Sequence, residues 1–331
     1  MIDLKGKRIL MFSPYGATKH YGVAIQKELE RRGAIVKGYD ERPSQNSLTK
    51  IVIRLFKKKV PQIFDKYISK IVVENRGENF DYILICRGEA FTPLTIEHLR
   101  HSFPKSKIIL YLWDILKSTD VSYNIPYVDK AMSFDPEDAK NHVGLIFRPT
   151  FYVEEYLSVN DSTPKENDIV FIGTLHSNRH NIIKQIEKDL SFKGFSFFKY
   201  LYVPSFFVYI KDYLTKFPYI SIKEINFSPI SISETIALLN KTKAILDINY
   251  TSQKSLSTRA YEAMAAKRKY ITTNAEVMHY DFYNPNNIAV VDIENINLSH
   301  GFLNSPFNEI PAKTLYYYSV AGLVDDLFDG I

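Results

Sequence analysis

Between Gln253 and Glu262 the chain brings short hydroxyls, a guanidinium and a carboxylate into one turn-to-helix junction. The residues before it, Lys243 to Asn249, are mostly apolar and branched, as a buried strand requires. Those after it, from Thr258 through Ala263, Ala265 and Ala266, are strong helix formers. The junction therefore lies at a helix N-terminus, where unpaired backbone N–H groups and the positive end of the helix dipole favour an anion. Ser255, Ser257 and Thr258 add short donors, and Arg259 adds a planar fork that can hold two phosphate oxygens. Glu262 lies about one turn deeper, where a carboxylate repels phosphate but suits the two hydroxyls of a ribose. A plainer account fits the same residues: Ser257 or Thr258 as an ordinary helix cap, and Arg259 with Glu262 as a surface ion pair at i,i+3.

The elements that position this junction repeat along the chain. Strand-like runs alternate with helical patterns, which predicts an α/β chain with parallel sheets built from βαβ units. One series has strands at Arg8–Ser13, Ala34–Tyr39, Tyr82–Cys86, Lys107–Trp113 and Lys130–Phe134, with helices at Tyr21–Arg32 and Leu94–Phe103. A second begins at Ile169–Gly173 and continues through Phe195–Tyr202, Ile220–Ile225, Ala244–Asn249, Lys269–Thr273 and Ile288–Asp292. Between the two series, the polar, Pro-containing stretch from Asn160 to Asp168 reads as a linker. Ser231 and Glu234 have capping-box spacing ahead of a helix over Thr235–Asn240. In parallel sheets ligands bind beyond the carboxyl ends of the strands. That directs attention to Gly173, Thr174, His176 and Arg179, to the loop at Phe227, and to the Gln253–Glu262 junction. Gly173 would permit close backbone approach, and Arg179 reads equally as a surface charge at a helix start.

Arg259, Ala260, Tyr261, Glu262, Ala263, Met264 and Ala265, followed by the strand from Arg268 to Asn274, resemble the nucleotide-sugar segment of GT-B glycosyltransferases, in which a helix Glu binds the donor ribose. Asp168 to Thr174, with His176 and Arg179, resembles the first strand and glycine turn of the GT-B donor domain. Tyr111 to Asp114, Ser133 to Asp138 and Tyr280 to Tyr283 are similar to bacterial capsule and lipopolysaccharide biosynthesis proteins, the CgeB-like group among them. The chain departs from the pattern at one place. Many retaining GT-B enzymes carry a second Glu where this chain has Lys254.

The resemblance implies two Rossmann-like parallel-sheet domains facing a cleft. An acceptor domain would span 1–155, a donor domain 166–311, and a helix over 312–331 would cross back to the first domain. It implies transfer of a sugar from a UDP- or GDP-linked donor to a surface polysaccharide or lipid-linked acceptor. In the donor half, Arg179 and the 255–259 turn would hold the diphosphate, Glu262 the ribose, and the Phe227 loop would lie beside the base. The first half would supply a base for the acceptor hydroxyl, and Glu89 is the first choice because it follows a buried strand beside Gly88; Asp114 and His20 come next. Structural roles are open for each: Glu89 as a partner of Arg87 or a lysine, Asp114 as a helix cap, His20 as an exposed side chain. No Asp-x-Asp pair follows a strand, so metal-independent chemistry with no cofactor beyond the nucleotide sugar is expected. Two rivals share the fold: a sugar-nucleotide epimerase, and a non-catalytic glycan- or partner-binding subunit that the lysine at 254 keeps open.

Composition narrows the classes further. A chain of 331 residues, 45% of them hydrophobic, is long enough for two domains with separate cores. Cys86, the single cysteine, lies in an apolar run and reads as a core residue of a protein in a reducing compartment. No apolar run approaches the ~20 residues of a membrane span, and the residues before Arg8 do not form a signal peptide, so a cytoplasmic protein is expected. A net charge of +5 without a recognisable nucleic-acid module argues against a nucleic-acid partner. From Lys50 to Val73 basic and apolar residues interleave, with Pro61 expected to divide the stretch into two helices. Such an element either lies on an anionic membrane surface or forms a domain helix with a solvated basic face.

Overall fold

The computed structural model describes residues 1–16, 18–43, 60–175, 179–215, 221–249, 254–293 and 296–331. The chain divides into two compact units, one formed by Met1–Thr150 with Tyr317–Ile331 and the other by Phe151–Tyr316.

The first unit runs β1 (Arg8–Ser13), α1 (Lys19–Arg31), β2 (Ile35–Asp40), α2 (Val60–Glu74), β3 (Tyr82–Cys86), α3 (Pro93–Ser102), β4 (Lys107–Leu112), β5 (Lys130–Ser133), α4 (Pro136–Asn141) and β6 (Leu145–Phe147). Its strands form one parallel six-stranded sheet in the order β2-β1-β3-β4-β5-β6. The central strands are nearly unbroken apolar runs, because helices cover both faces of such a sheet. Ile83, Leu84, Ile85, Ile108, Ile109 and Leu110 are all fully buried. Thr92 opens α3 with a capping box closed by Thr95, and Pro93 occupies the first turn, where a missing N–H costs nothing.

The second unit runs β7 (Asn167–Thr174), α5 (Arg179–Phe192), β8 (Phe197–Tyr202), α6 (Phe206–Thr215), β9 (Ile225–Asn226), α7 (Ile232–Asn240), β10 (Thr242–Asp247), α8 (Thr258–Ala265), β11 (Lys269–Thr272), β12 (Ile288–Val290), α9 (His300–Asn304) and α10 (Ala312–Tyr317). It too is one parallel six-stranded sheet, ordered β12-β11-β10-β7-β8-β9. The capping box expected at Ser231 and Glu234 forms and starts α7. At the other end of α8, Lys267 takes a left-handed φ of +50°. The N–H groups of Arg268 and Lys267 then donate back to Ala263 and Met264, the closing pair of a Schellman motif.

Several expectations need correction. The strand expected over Ile220–Ile225 is a 3-10 turn at Ile222–Glu224, started by the Ser221 hydroxyl accepting from Lys223 N, with only Ile225–Asn226 left to pair. β6 was not foreseen, because it is three residues long and two of them are exposed. The expected helix over 312–331 is two: α10, and α11 (Val320–Phe328), which Ser319 caps anew by accepting from Gly322 N. The division between units falls at Thr150, slightly before the polar 160–168 stretch, and asks for no correction. That stretch is fastened to the second unit by Arg268, whose guanidinium donates to Asn160 O at 2.7 Å and pairs with Asp161 at 2.9 Å. Within the basic stretch, residues 50–59 lie outside the described residues. The rest is α2, with Pro61 in its first turn, where a proline is tolerated; the helix expected ahead of Pro61 lies outside the described residues. Phe64, Ile68 and Ile71 enter the core while Lys66 and Lys70 stay exposed, a domain helix with a solvated basic face.

In both sheets the strand order reverses next to the first strand. β1 has β2 on one side and β3 on the other, and β7 has β8 on one side and β10 on the other. Each reversal opens a crevice at the carboxyl edge.

Candidate functional site

At the reversal in the second unit, Arg179 on the first turn of α5 bridges the carboxyl ends of the paired strands β7 and β10. Its guanidinium donates to Thr174 O at 3.2 Å, at the end of β7, and to Ile248 O at 2.9 Å, just past β10. Burial lowers its pKa, with the Asp247 carboxylate acting in the opposite direction. Gly173 leaves room for this arrangement: a Cβ there would lie 2.7 Å from the Phe171 ring and 3.5 Å from Arg179 Nη1. The close approach that Gly173 permits is thus made by Phe171 and Arg179 themselves.

The junction before α8 is built as a helix cap. Ser257 Oγ accepts from Arg259 N at 3.2 Å and donates to Asp247 Oδ2 at 2.7 Å. The Tyr270 hydroxyl donates to the same oxygen at 2.7 Å, and Asn274 Nδ2 donates to Ser255 O at 3.2 Å. These bonds fix the path of the turn, with Ser255 fully buried and Thr258 half-buried on the first helical position. Arg259 Nη1 meets Glu262 Oε2 at 2.5 Å. The pair has the i,i+3 spacing expected of a surface ion pair, but Glu262 is only 2% exposed. Tyr156, from the 3-10 turn at Glu154–Ser158, completes the cluster; burial, then the Glu262 carboxylate, push its phenol far above its ordinary value. Lys254 is half-exposed and 3.8 Å from Glu276. Phe227 packs on the aromatic side of α6, its ring 6.1 Å from that of Phe206, and Tyr200 holds the next residue through Ser228 O at 2.9 Å. His176 and Gln253 lie outside the described residues.

Arg179, Gly173, Thr174 and the 255–262 junction thus meet at one strand reversal, joined through Asp247. Sequence reasoning missed Asp247, Tyr270, Asn274 and Tyr156. An aspartate closing an otherwise apolar strand was the available signal for Asp247. The others are brought in by the sheet and carry no local signal.

At the carboxyl edge of the first unit a second charged group forms. Arg87 follows β3 with φ +77° and Gly88 with φ +80°. Only Gly88 adopts this without side-chain strain, and a Cβ there would meet Leu110 Cδ1 at 2.8 Å. The Arg87 side chain reaches three carboxyls: Asp114 from Nε at 2.6 Å, Glu89 from Nη2 at 2.7 Å, and Glu41 from Nη1 at 3.7 Å. Glu89 also accepts from Arg42. Burial works against the charge on Arg87, yet Asp114, Glu41 and Glu89 together raise its pKa. Glu89 and Asp114 are therefore brought together on one guanidinium. Asp114 pairs with Arg87 and starts no helix. His20 stands on α1 with its ring 4.0 Å from that of Tyr21 and is not among the Arg87 partners. Cys86 is buried in β3, as expected, and burial pushes its thiol well up.

Among the described residues no His, Cys, Asp and Glu group is arranged to hold a metal ion, and no helix is long and apolar enough to cross a membrane.

No protein-family model and no curated protein matches the chain. Solved structures do. A glycosyltransferase from Rickettsia africae ESF-5 matches with TM-score 0.55 at 14% identity, over 98% of this chain and 88% of its own. The lipopolysaccharide outer core galactosyltransferase WaaB, in apo form, matches with TM-score 0.56 at 10% identity, over 98% and 100%. A UDP-GlcNAc 2-epimerase from Methanocaldococcus jannaschii, in complex with UDP-GlcNAc and UDP, matches with TM-score 0.53 at 14% identity, over 98% and 100%. At these identities the likeness concerns the fold: the chain has the GT-B fold, two Rossmann-like α/β units with a parallel six-stranded sheet in each.

Proposed function

We propose that the protein is a glycosyltransferase that moves a sugar from a nucleoside diphosphate donor, UDP- or GDP-linked, onto a surface polysaccharide or lipid-linked acceptor in the cytoplasm. The observation that supports this reading is the placement of Arg179 and of the capped N-terminus of α8, which carries Arg259, on either side of Asp247 at the carboxyl edge of the second sheet. Two guanidiniums and a helix N-terminus offer charge and directed donors to a diphosphate. Glu262, just beneath Arg259, offers acceptors to ribose hydroxyls. In the transfer, the acceptor oxygen bonds to the anomeric carbon, the bond from that carbon to the diphosphate breaks with its electron pair leaving on the diphosphate, and Glu89 takes the acceptor proton. Arg179 and Arg259 stabilise the charge that develops on the leaving group.

A panel of nucleotide sugars tests the reading: a transferase passes sugar to added glycan, an epimerase returns a new nucleotide sugar, and a binding subunit does neither. Calorimetry tests the site. Arg259→Ala is expected to weaken nucleoside diphosphate binding by about 1.5–3 kcal/mol, the range for charge-assisted hydrogen bonds. Unchanged affinity for every nucleoside diphosphate removes Arg259 from the site. Glu262→Gln is expected to weaken nucleoside diphosphate binding but leave pyrophosphate binding intact, because its partner is the ribose. Equal losses for both ligands contradict that role.

A further inference from the structure

Glu41, just past β2, takes no part in the transfer step described above. Its backbone N–H donates to Ser13 O at 3.1 Å, extending the pairing with β1, and the side chain is 0% exposed. Among the described residues, neither carboxyl oxygen has a hydrogen-bond partner. Buried polar groups are almost always hydrogen-bonded, and an unsatisfied carboxyl is costly, so such a group calls for a reason. Arg87 Nη1 lies 3.7 Å away, while the other two nitrogens of that guanidinium hold Asp114 at 2.6 Å and Glu89 at 2.7 Å. One planar fork thus faces three carboxyls, gripping two and standing off from the third. The left-handed backbone at Arg87, φ +77°, is an unfavourable conformation for a residue with a side chain, and it presents the fork there.

We propose that Glu41 is a positioning residue for the Arg87 fork: uncharged, it leaves the fork on Glu89 and Asp114; charged, it draws Nη1 inward and takes the fork off Glu89. The proposal rests on the reading in which Glu89 receives the acceptor proton. The groups that face Glu41 are Arg87 and Arg42, which favour its charged form, and Glu89 and Asp40, which oppose it. Cys86 of β3 also feels its charge, and burial keeps that thiol protonated. Burial outweighs the two arginines and pushes the Glu41 carboxyl up to about 8. The side chain is therefore uncharged at neutral pH and gains its charge in the mildly alkaline range.

Glu41→Gln keeps the shape and stays uncharged at every pH. Turnover of the wild type is expected to fall by about tenfold from pH 7 to pH 9.5, while the same ratio in Glu41→Gln stays within about twofold. An alkaline fall of equal size and midpoint in both proteins overturns the proposal, since a purely structural role moves stability and not this midpoint. If the Gln variant does not fold, Glu41→Met, uncharged and of similar volume, carries the comparison.

A second measurement stands apart from transfer, so failure of the transferase reading does not hide the outcome. Glu41 has a folded pKa raised from the ordinary 4.5 to about 8, so the stability it contributes is fully present below about 4.5 and lost as pH rises through about 8. The melting temperature of the wild type is therefore expected to fall relative to Glu41→Gln between pH 5 and pH 9. A double-mutant cycle of Glu41→Gln with Glu89→Gln, read by melting, is expected to show coupling at pH 9 and little at pH 6. Coupling of the same size at both pH values, or at neither, refutes the moving fork even if no sugar is ever transferred.

Discussion

Glu89→Gln is expected to keep nucleoside diphosphate affinity and to lower turnover by roughly 10²–10⁴-fold, the usual range for losing a general base. The expectation follows from position. Glu89 stands past β3 at the carboxyl edge of the first sheet, whereas the proposed diphosphate groups, Arg179 and Arg259, belong to the second unit. Binding and chemistry should therefore separate in the variant. Glu89 accepts from Arg87 Nη2 at 2.7 Å and from Arg42 as well. A glutamine can accept from one guanidinium through its carbonyl but turns its NH₂ toward the other, so some local rearrangement accompanies the loss of the carboxylate. Glu89 is half-exposed, and its ion pairs are worth little to stability. A melting temperature close to that of the wild type is thus part of the expected result. Near-normal turnover would exclude Glu89 as the base and move the assignment to Asp114, which Arg87 holds at 2.6 Å, and to His20. Wholesale unfolding would mark Glu89 as a structural partner of the two arginines.

What the sequence revealed followed the physics of each element. The buried parallel strands Tyr82–Cys86 and Lys107–Leu112 were legible because a strand covered on both faces must be a continuous apolar run. β6 was not, because two of its three residues face solvent and leave no such run. Ile222 sits 46% exposed in a turn, where a local serine cap outweighs β-branched propensity. The spacing of Arg259 and Glu262 predicted their contact, since i and i+3 share a helix face. It could not predict that Tyr156, far back along the chain, would bury the carboxylate. Glu41 was illegible for a related reason. Between Asp40 and Arg42 it reads as one more loop charge, and only the parallel pairing of β1 with β2 and β3 brings it against Arg87. Local spacing carries ion pairs within a helix; clusters assembled across strand ends depend on sheet order, which no short window contains.

Contacts between distant segments also give Arg32 its expected effect, the largest on stability. Arg32 follows α1, is 2% exposed, and ties three segments of the first unit together. Its guanidinium donates to Glu28 Oε1 at 2.7 Å, to Asp325 Oδ1 at 2.5 Å and to Ala321 O at 2.6 Å on α11, and to Ile2 O at 3.3 Å. Arg32→Ala is expected to cost about 3 kcal/mol, because it removes several charge-assisted bonds at once from a buried position, leaving Glu28 to Arg31 and Asp325 to Ile2 N. Lysine should restore little of this, since a single ammonium cannot span acceptors on two helices. Glu28, 3% exposed, supplies the pH dependence. Burial pushes its carboxyl up, but the hydrogen bonds from Arg31 and Arg32 outweigh that and hold its pKa below the ordinary value of 4.5. A depressed acid contributes stability that is present above its unfolded pKa and lost as pH falls through the folded one. The gap between wild type and Arg32→Ala should therefore be full at neutral pH and narrow as acidification below the ordinary carboxylate value of 4.5 carries Glu28 through its depressed folded pKa. Urea titrations at pH 7 and pH 3.5 measure both. A neutral-pH loss under about 0.5 kcal/mol would show that α11 is held by its apolar face, with Leu323, Val324 and Leu327 fully buried, and that the arginine fan adds nothing.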